Sequence, residues 1–292
     1  MKKNLPITYY LDFSNFAEPV RRSYLHDAAC CGIKHLVLND RIIAQIMRDP
    51  AWAQVMKKEL AAEGLSFMDA HAPFGWTFDM NTAFVDERPV TMLRHQMHLH
   101  IARLMDVESI TIHIGNDYRF PEVPLQTHLD RIEEMLDNLL PVAEELKVCL
   151  CIENIWLRNT TPEMLWHFKN KFPTEYLGFC YDAGHANIMN NGRFHADGRA
   201  QQGWKAVGVD TPQWDDKILE KMLPEIVTCH LHDNFGNEDQ HDLPGNGNIN
   251  WQKERELLYQ APRLKQLQSE VIITRNNLSL KAVADKFNEL FG

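Results

Sequence analysis

Residues 148–155 read VCLCIENI, a short apolar run that ends in the polar pair Glu153 and Asn154. Its length suits one buried β-strand. Alternation along a strand places Cys149, Cys151 and Glu153 on the same face. If the small cysteines fill the interior of a closed sheet, the carboxylate of Glu153 points into the mouth of that sheet.

Runs of the same kind recur along the whole chain, each bounded by turn or capping residues. They predict eight strands, at 7–14, 35–39, 65–72, 109–115, 148–155, 176–182, 227–233 and 270–276. Helices are predicted between them, including 19–31, 41–63, 161–171, 213–223 and 251–267. Three helices are predicted from apolar stripes at helical spacing. The first stripe is Leu93, Met97, Ile101, Leu104 and Met105, and the third is Leu280, Val283, Ala284, Phe287, Leu290 and Phe291. The second is Leu125, Leu129, Ile132, Leu136, Leu139 and Ala143, in a helix that Pro141 is expected to kink.

Eight strand-then-helix units without an evident linker predict a single (β/α)₈ TIM barrel over residues 1–292. A doubly wound open sheet is the alternative, but no G-x-G-x-x-G motif follows the first strand. The Gly-, Asn- and Gln-rich stretch 186–211 follows the sixth strand. We interpret it as an irregular loop that serves as a lid over the active face or as an oligomer contact.

Composition narrows the class of partner. The 292 residues include 30 Lys and Arg against 40 Asp and Glu, a formal net charge of −10. This balance disfavours nucleic acid or an anionic membrane as a partner, although bound divalent cations would offset part of it. The start of the chain lacks the features of a secretory signal, and no run is long enough for a membrane span. The six cysteines lack C-x-x-C spacing, which favours reduced core thiols of a cytoplasmic protein.

Polar residues follow five consecutive strands at the same end. In a barrel these positions converge on one face, where the catalytic site of such folds lies. Imidazoles facing carboxylates in a buried site indicate one or more divalent metals, with Zn²⁺, Mn²⁺, Fe²⁺ or Co²⁺ suited to the nitrogen ligands. The candidate ligands are His71, His113, Glu153, Asp182, His185, His230, Asp239 and His241.

Each of these residues alone has a simpler interpretation. A histidine at a strand end is more often a hydrogen-bonded structural residue, and a lone carboxylate more often caps the next helix. The joint pattern favours the metal site. His232 shares a face with His230, as a substrate contact or as a donor to a ligand. Trp76 and Trp156 are candidates for the floor of a sugar or base pocket, or for core packing. His95, His98 and His128 lie in predicted helices and are expected to be surface residues or to pack between helix and sheet.

With the motifs HAPFG, IHIG, IEN, DAGHAN and HLHDN…DQHDLPGNGNINW, the chain resembles the xylose isomerase-like barrel superfamily. That superfamily includes sugar and sugar-phosphate isomerases and epimerases and the zinc-dependent endonucleases that act at abasic sites. In the isomerase branch, the resemblance implies one Mn²⁺-like ion held by Glu153, Asp182 and His230, with His185 contacting substrate oxygens.

The endonuclease branch implies three metals instead. The matching positions would place His71, His113 and Glu153 at the first ion, Glu153, Asp182 and His230 at the second, and His185, Asp239 and His241 at the third. Both branches usually carry a glutamate at the end of strand eight. Here Thr274 is predicted at that position, Glu270 is predicted at the opposite end of the strand, and Arg275 is a candidate for binding a substrate phosphate or carboxylate.

Three functions remain open. The first is a metal-dependent isomerase or epimerase of a sugar or sugar phosphate, with Glu153 and His185 as catalytic groups. The second is a phosphodiester hydrolase, which the full ligand set favours and the acidic loops around the site disfavour. The third is a non-catalytic metal-binding barrel, motivated by Thr274. We expect the first, with a small sugar as substrate and no nucleic acid or membrane partner.

Overall fold

The backbone closes into a parallel barrel whose first and last strands pair with each other. A computed structural model describes residues 5–292, so Lys2 and Lys3 of the N-terminal segment lie outside the described residues. Within that range the strands follow one another around the barrel in sequence order, and β1 pairs with β8. They are β1 Ile7–Tyr9, β2 His35–Leu38, β3 Ser66–His71, β4 Ser109–Ile112, β5 Cys149–Glu153, β6 Leu177–Asp182, β7 Ile226–Leu231 and β8 Leu267–Ser269. The predicted TIM barrel is confirmed.

Helices cover the outside of the barrel, as the strand-then-helix pattern requires. They are α1 Glu18–Cys30, α2 Asp40–Arg48, α3 Trp52–Ala62, α4 Arg88–Leu104, α5 Leu125–Leu146, α6 Pro162–Lys171, α7 Ala183–Asn191, α8 Arg199–Ala206, α9 Ile218–Met222, α10 Trp251–Leu258 and α11 Leu280–Phe291. The single helix predicted at 41–63 is two helices, α2 and α3. Pro50 lies between them and lacks the backbone N–H that a continuous helix would use.

The interior of the barrel follows the predicted parity. Cys149, Cys151 and Cys180 form a small buried cluster with Val227, and Glu153 continues the same face of β5. Neighbouring strands pair Glu153 with Cys180 and Asp182 with His230. The register therefore brings the polar strand ends to one rim. All six cysteines are free thiols, and the four in β5, β6 and β7 are buried.

The eighth strand is displaced from its predicted position. It spans Leu267–Ser269, whereas the β-branched run at 270–276 leaves the sheet and forms a turn. Backbone pairing with β1 and β7 selects this strand, with Gln268 opposite both Thr8 and His230. Pairing thus outweighs the β-propensity of the side chains that follow.

The apolar stripe predicted on α4 is wrong for three of its residues. Leu93, Met97 and Leu104 are exposed. The face of α4 that packs on the barrel carries His95 and His98 with Leu99 and Ala102. The stripes on α5 and α11 are confirmed, because most of their predicted residues are buried.

The segment 186–211 is not irregular. It contains most of α7, a short 3₁₀ turn at Gly192–Phe194 and the whole of α8. Trp204 anchors α8 to the barrel loops, since its indole N–H donates to the backbone carbonyl of Trp156 at 3.0 Å. A role as lid or oligomer contact stays a prediction. None of the helices in residues 5–292 has the length and hydropathy required to cross a membrane.

Candidate metal centre at the barrel mouth

Glu153 stands at the centre of a group of imidazoles. It ends β5 and is 1% exposed. Its carboxylate oxygens lie 3.0 Å from Nε2 of His113, 3.0 Å from Nδ1 of His185 and 3.7 Å from Nε2 of His71. The contacts come from the ends of β3 and β4 and from the first turn of α7. The structure therefore brings these four predicted residues together.

Asp182 joins strand β6 to helix α7 and is fully buried. Its Oδ1 accepts a hydrogen bond of 2.6 Å from the backbone N–H of His185, which makes Asp182 the N-cap of α7. The side chain of Asn154 fixes the Asp182 backbone, because its amide donates to the Asp182 carbonyl and its oxygen accepts from the Asp182 N–H. The motif IEN thus positions the carboxylate of the neighbouring strand.

His230 ends β7 and links three carboxylates. Its Nδ1 lies 3.5 Å from Oε1 of Glu153, 3.6 Å from Oδ2 of Asp182 and 3.4 Å from Oε2 of Glu270. The ring is fully buried, and neither of its nitrogens makes a hydrogen bond within the described part of the chain.

Glu270 corrects the prediction for strand eight. It directly follows β8 and is 7% exposed, so it occupies the C-terminal end of the strand rather than the opposite end. Thr274 lies four residues further on, in the turn, and is exposed. The glutamate expected at this end of the barrel is therefore Glu270, and Thr274 leaves no gap in the site.

Asp239 and His241 reach the centre from the loop between β7 and α10. Nε2 of His241 lies 2.9 Å from Oδ2 of Asp239, and Nε2 of His185 lies 3.7 Å from the same oxygen. His241 has a φ of +48°, a conformation that costs energy for a residue with a Cβ. Two interactions hold the His241 ring in place: its contact with Asp239, and the hydrogen bond between His241 Nδ1 and the backbone carbonyl of Glu270.

His232 contacts Asp182 and does not line the open cavity. Its Nε2 is 3.1 Å from Oδ2 of Asp182, and its ring stacks on that of His241 with centroids 4.0 Å apart. A Cβ at position 184 would sit 2.0 Å from His232 Cε1, so only glycine fits there. The residue types in DAGHAN and HLHDN are thus coupled through packing.

The electrostatics favour charged groups in this buried site. Burial raises the pKa of Asp182, but the positive charges of His185 and His232 outweigh burial and hold that pKa well below its usual value. Burial lowers the pKa of His241, but Asp239 outweighs it and raises the pKa to about 9. The carboxylate of Asp182 is therefore ionised at neutral pH, as metal ligation requires.

The residues present fit a divalent metal. Donor atoms within 4.8 Å of one another form four overlapping groups, which are His71–Glu153–His230, Asp182–His230–Glu270, Asp182–His185–His232 and His232–His241–Glu270. Buried atoms without a hydrogen-bond partner among the described residues include Oε2 of Glu153, both ring nitrogens of His230 and Oδ1 of Asp239. Leaving such atoms unpaired is costly, and a cation would satisfy them.

A cavity of about 260 Å³ opens onto this centre. Its walls include Phe74, Asn116, Tyr118, Arg119 and Trp156, beside the metal-site residues. Trp156 packs edge-on against His185, with ring centroids 4.8 Å apart.

Three of the four predicted substrate-binding residues, His232, Trp76 and Arg275, lie outside that lining. Trp76 is 57% exposed and packs on Phe120 and Arg119. Arg275 is exposed and donates to the backbone carbonyl of Asp239 at 3.0 Å. Phe74, Asn116, Tyr118 and Arg119 were not predicted as site residues, because they lie in loops after the strand ends, where no periodicity indicates a direction. Glu270 was detectable as the glutamate nearest the expected position.

Comparison with known proteins agrees with the barrel. The family model described as xylose isomerase-like TIM barrel matches residues 27–262, most of the chain. The chain belongs to this family. Glu270 lies beyond the end of the matched region. The other nine residues assembled at the barrel mouth lie within that region: His71, His113, Glu153, Asp182, His185, His230, His232, Asp239 and His241.

Individual relatives are distant. An uncharacterized protein of Methanocaldococcus jannaschii is 25% identical over 217 residues, which are 72% of this chain and 64% of that protein's length. A structure described as a D-tagatose 3-epimerase-like protein superposes with a TM-score of 0.72 at 18% identity, covering 100% of this chain and 97% of the other. The IolI protein with a bound zinc atom gives a TM-score of 0.68 at 13% identity, covering 99% and 96%. At these identities the superpositions show a shared fold.

Proposed function

We propose that this protein is a divalent-metal-dependent isomerase or epimerase of a small sugar. One observation carries the proposal: Glu153 and Glu270 approach the same atom, His230 Nδ1, from different strands, at 3.5 and 3.4 Å. Both glutamates also line the cavity. Two carboxylates that face one cavity suit the removal of a proton at one position of a bound sugar and its return at another.

Glu153, Asp182, His230 and Glu270 are the residues that would hold a single Mn²⁺ or Zn²⁺ ion. When bound, the ion would supply positive charge that polarises the carbonyl of the sugar and favours loss of a proton from the adjacent carbon. His71, His113, Asp239 and His241 extend the donor set, so one to three ions are compatible with the residues present.

The chain's own groups would then move the proton. A carboxylate oxygen of Glu153 or Glu270 removes it from the carbon beside the carbonyl, which leaves an enediolate-type species, and the proton returns to the neighbouring carbon or to the opposite face. His185 lines the cavity between Glu153 and Asp239. Its imidazole would donate to substrate oxygens and share their developing negative charge.

The similarity in fold to a D-tagatose 3-epimerase-like protein supports this assignment. Glu270 also removes the reason for a non-catalytic barrel, because the strand-eight carboxylate is present. The experiment is proton exchange: a panel of ketohexoses is incubated with the Mn²⁺- or Zn²⁺-loaded protein in D₂O, and deuterium at the exchanging carbon is followed by NMR. Exchange that needs metal is the expected result.

A phosphodiester hydrolase is the second candidate, and the extended donor set favours it. His71 with His113, and Asp239 with His241, flank the central ligands as additional metal positions would. A duplex with an abasic site, assayed beside the ketohexoses, separates the two. Metal-dependent nicking without sugar exchange would contradict our proposal.

A further inference from the structure

The cavity over the metal centre has a second cavity beside it. A second chamber of about 280 Å³ adjoins it, and Tyr118 and Trp156 line both chambers. The outer chamber is otherwise lined by Arg199, Gln202, Gly203 and Ala206 of α8. The summed volume of the two chambers lies within the roughly 300–1,000 Å³ typical of ligand pockets. Because the chambers lie side by side, together they form an elongated site.

The two shared aromatic residues are held in place by the barrel loops. Trp156 packs edge-on against His185 of the metal centre, and its backbone carbonyl accepts the indole N–H of Trp204 at 3.0 Å. Tyr118 follows Asp117, whose buried carboxylate pairs with Arg158 at 2.8 Å. The Trp156 ring is therefore fixed before a ligand enters, which reduces the entropy lost on binding, and the Asp117–Arg158 ion pair supports the loop that carries Tyr118.

One face of α8 forms the far wall. Arg199, Gln202, Gly203 and Ala206 follow one another at helical spacing. A Cβ at position 203 would lie 3.1 Å from Leu157 Cδ2, so glycine lets the helix backbone approach the loop that carries Trp156. Glycine is unfavourable inside a helix, and close approach is the usual reason for it.

The charges of this cleft are already balanced. Arg119 lies 3.0 Å from Asp79, and Arg199 lies 2.7 Å from Glu238. Each pair uses one guanidinium nitrogen, and its carboxylate offsets part of the positive charge that a phosphate would meet. The outer chamber thus combines aromatic surface, an amide and paired charges, which suits a neutral polyhydroxylated ring.

We propose that the substrate is a neutral sugar with a second ring, a disaccharide or similar glycoside. Its reacting ring occupies the chamber over the metal centre, and its second ring lies against Trp156 and Tyr118, facing α8. This inference builds on the proposed function and adds the size and charge of the substrate. It excludes a sugar phosphate with its phosphate in the outer chamber.

Calorimetry on the Mn²⁺-loaded protein tests the proposal. The probes are D-fructose, fructose 6-phosphate, and isomaltulose and lactulose, two disaccharides with a second ring on fructose. We expect at least one disaccharide to bind at least about fivefold more tightly than fructose, since a stacked ring adds this order of affinity. Fructose 6-phosphate should show no such gain.

A matched pair of variants locates the second ring. Ala206→Trp fills the outer chamber from an exposed position, and Lys205→Trp adds the same side chain to the preceding residue of α8, which is exposed and does not line the chamber. Ala206→Trp should remove the preference for the disaccharide, whereas Lys205→Trp should keep it. Circular dichroism and metal content show that both variants are folded and loaded.

The outcomes separate the two proposals. Fructose binding without a disaccharide preference, or a preference that survives Ala206→Trp, overturns the second-ring proposal and leaves the sugar isomerase intact. A gain with fructose 6-phosphate overturns the neutral-substrate assignment. Absence of binding by every probe overturns the proposed function and this inference together.

Discussion

At the scale of single residues, the site depends on a carboxylate that follows its strand rather than lying within it. Glu270 is buried at the barrel mouth within 3.4 Å of His230, while Thr274 is exposed in the next turn. One position therefore distinguishes a site with two glutamates from a site with one.

Glu270→Gln should reduce metal-dependent exchange by about two orders of magnitude or more, because an amide cannot accept and return a proton. Thr274→Ala is the matched control and should keep activity within about twofold of the wild type, since position 274 is exposed. The measurement is deuterium incorporation into the ketohexose that the wild type turns over. Equal losses in the two variants would contradict the placement of Glu270.

The residue scale also shows where sequence reasoning succeeds. Glu153, Asp182 and His230 were predictable because strand parity and strand ends determine their directions. His232 could be assigned to the site but not to a role, because its contact with Asp182 depends on the close approach that Gly184 permits. Loop residues such as Tyr118 have no periodicity from which a direction could be inferred.

At the scale of elements, one buried carboxylate organises the loop that carries Asp239 and His241. Asp233 accepts the backbone N–H groups of Gly245 and Ile249 and the indole N–H of Trp251. A Cβ at position 247 would lie 2.3 Å from Asp233 Oδ1, which explains a glycine in PGNGN.

Asp233→Asn should lower the free energy of unfolding by about 1–3 kcal/mol, because one oxygen becomes a donor that faces other donors. It should also weaken metal binding, since Asp239 and His241 lose their support. Asn246→Ala, an exposed change in the same loop, is the control. Denaturant titration and metal content after dialysis are the measurements. An unchanged midpoint in Asp233→Asn would show that the loop is held by other contacts.

Helix α4 packs two histidines where apolar residues were expected. His98 is 1% exposed, and neither ring nitrogen has a hydrogen-bond partner among residues 5–292. Burial lowers the pKa of His95 to about 4, and burial and the neighbouring His95 lower the pKa of His98 well below its usual value.

This pair should make the fold sensitive to acid. The unfolded chain binds more protons than the folded one between pH 6.5 and about 4, so stability is lost as pH falls through that window. His98→Leu should raise the melting temperature at pH 7 and reduce the loss between pH 7 and 5. Scanning calorimetry at several pH values measures both effects. A steeper acid loss in the variant would contradict this explanation.

At the scale of the whole molecule, the candidate metal ligands come from most strands of the barrel. These ligands follow β3 to β8, so an ion bound there would link elements that are distant in sequence. Much of the architecture was predictable, because eight repeated strand-then-helix units are compatible with only a few topologies. The short β8 was not predictable, because pairing with β1 and β7 defines it and not its side chains.

Removal of metal should lower the stability of the whole barrel. Buried carboxylates and imidazoles would lose a shared partner, and a ligand that binds only the folded state adds about 2.7 kcal/mol at 100 times its Kd. We expect EDTA-treated protein to melt at a lower temperature and Mn²⁺ or Zn²⁺ to restore it. Melting of Glu153→Gln should respond much less to either treatment. A wild-type melting temperature that is independent of metal would argue against the site.

The pairing of β1 with β8 sets an order of events during synthesis. Residues 7–9 leave the ribosome some 260 residues before their partner, Leu267–Ser269, which carries Glu270 directly behind it. The nascent chain can form the first seven strands and still lack both the β1–β8 pairing and the carboxylate of Glu270. The pairing of β8 with β1 that closes the barrel and the addition of Glu270 to the candidate metal ligands therefore occur together. An ion captured before the barrel closes meets a different set of ligands from the one in the finished protein.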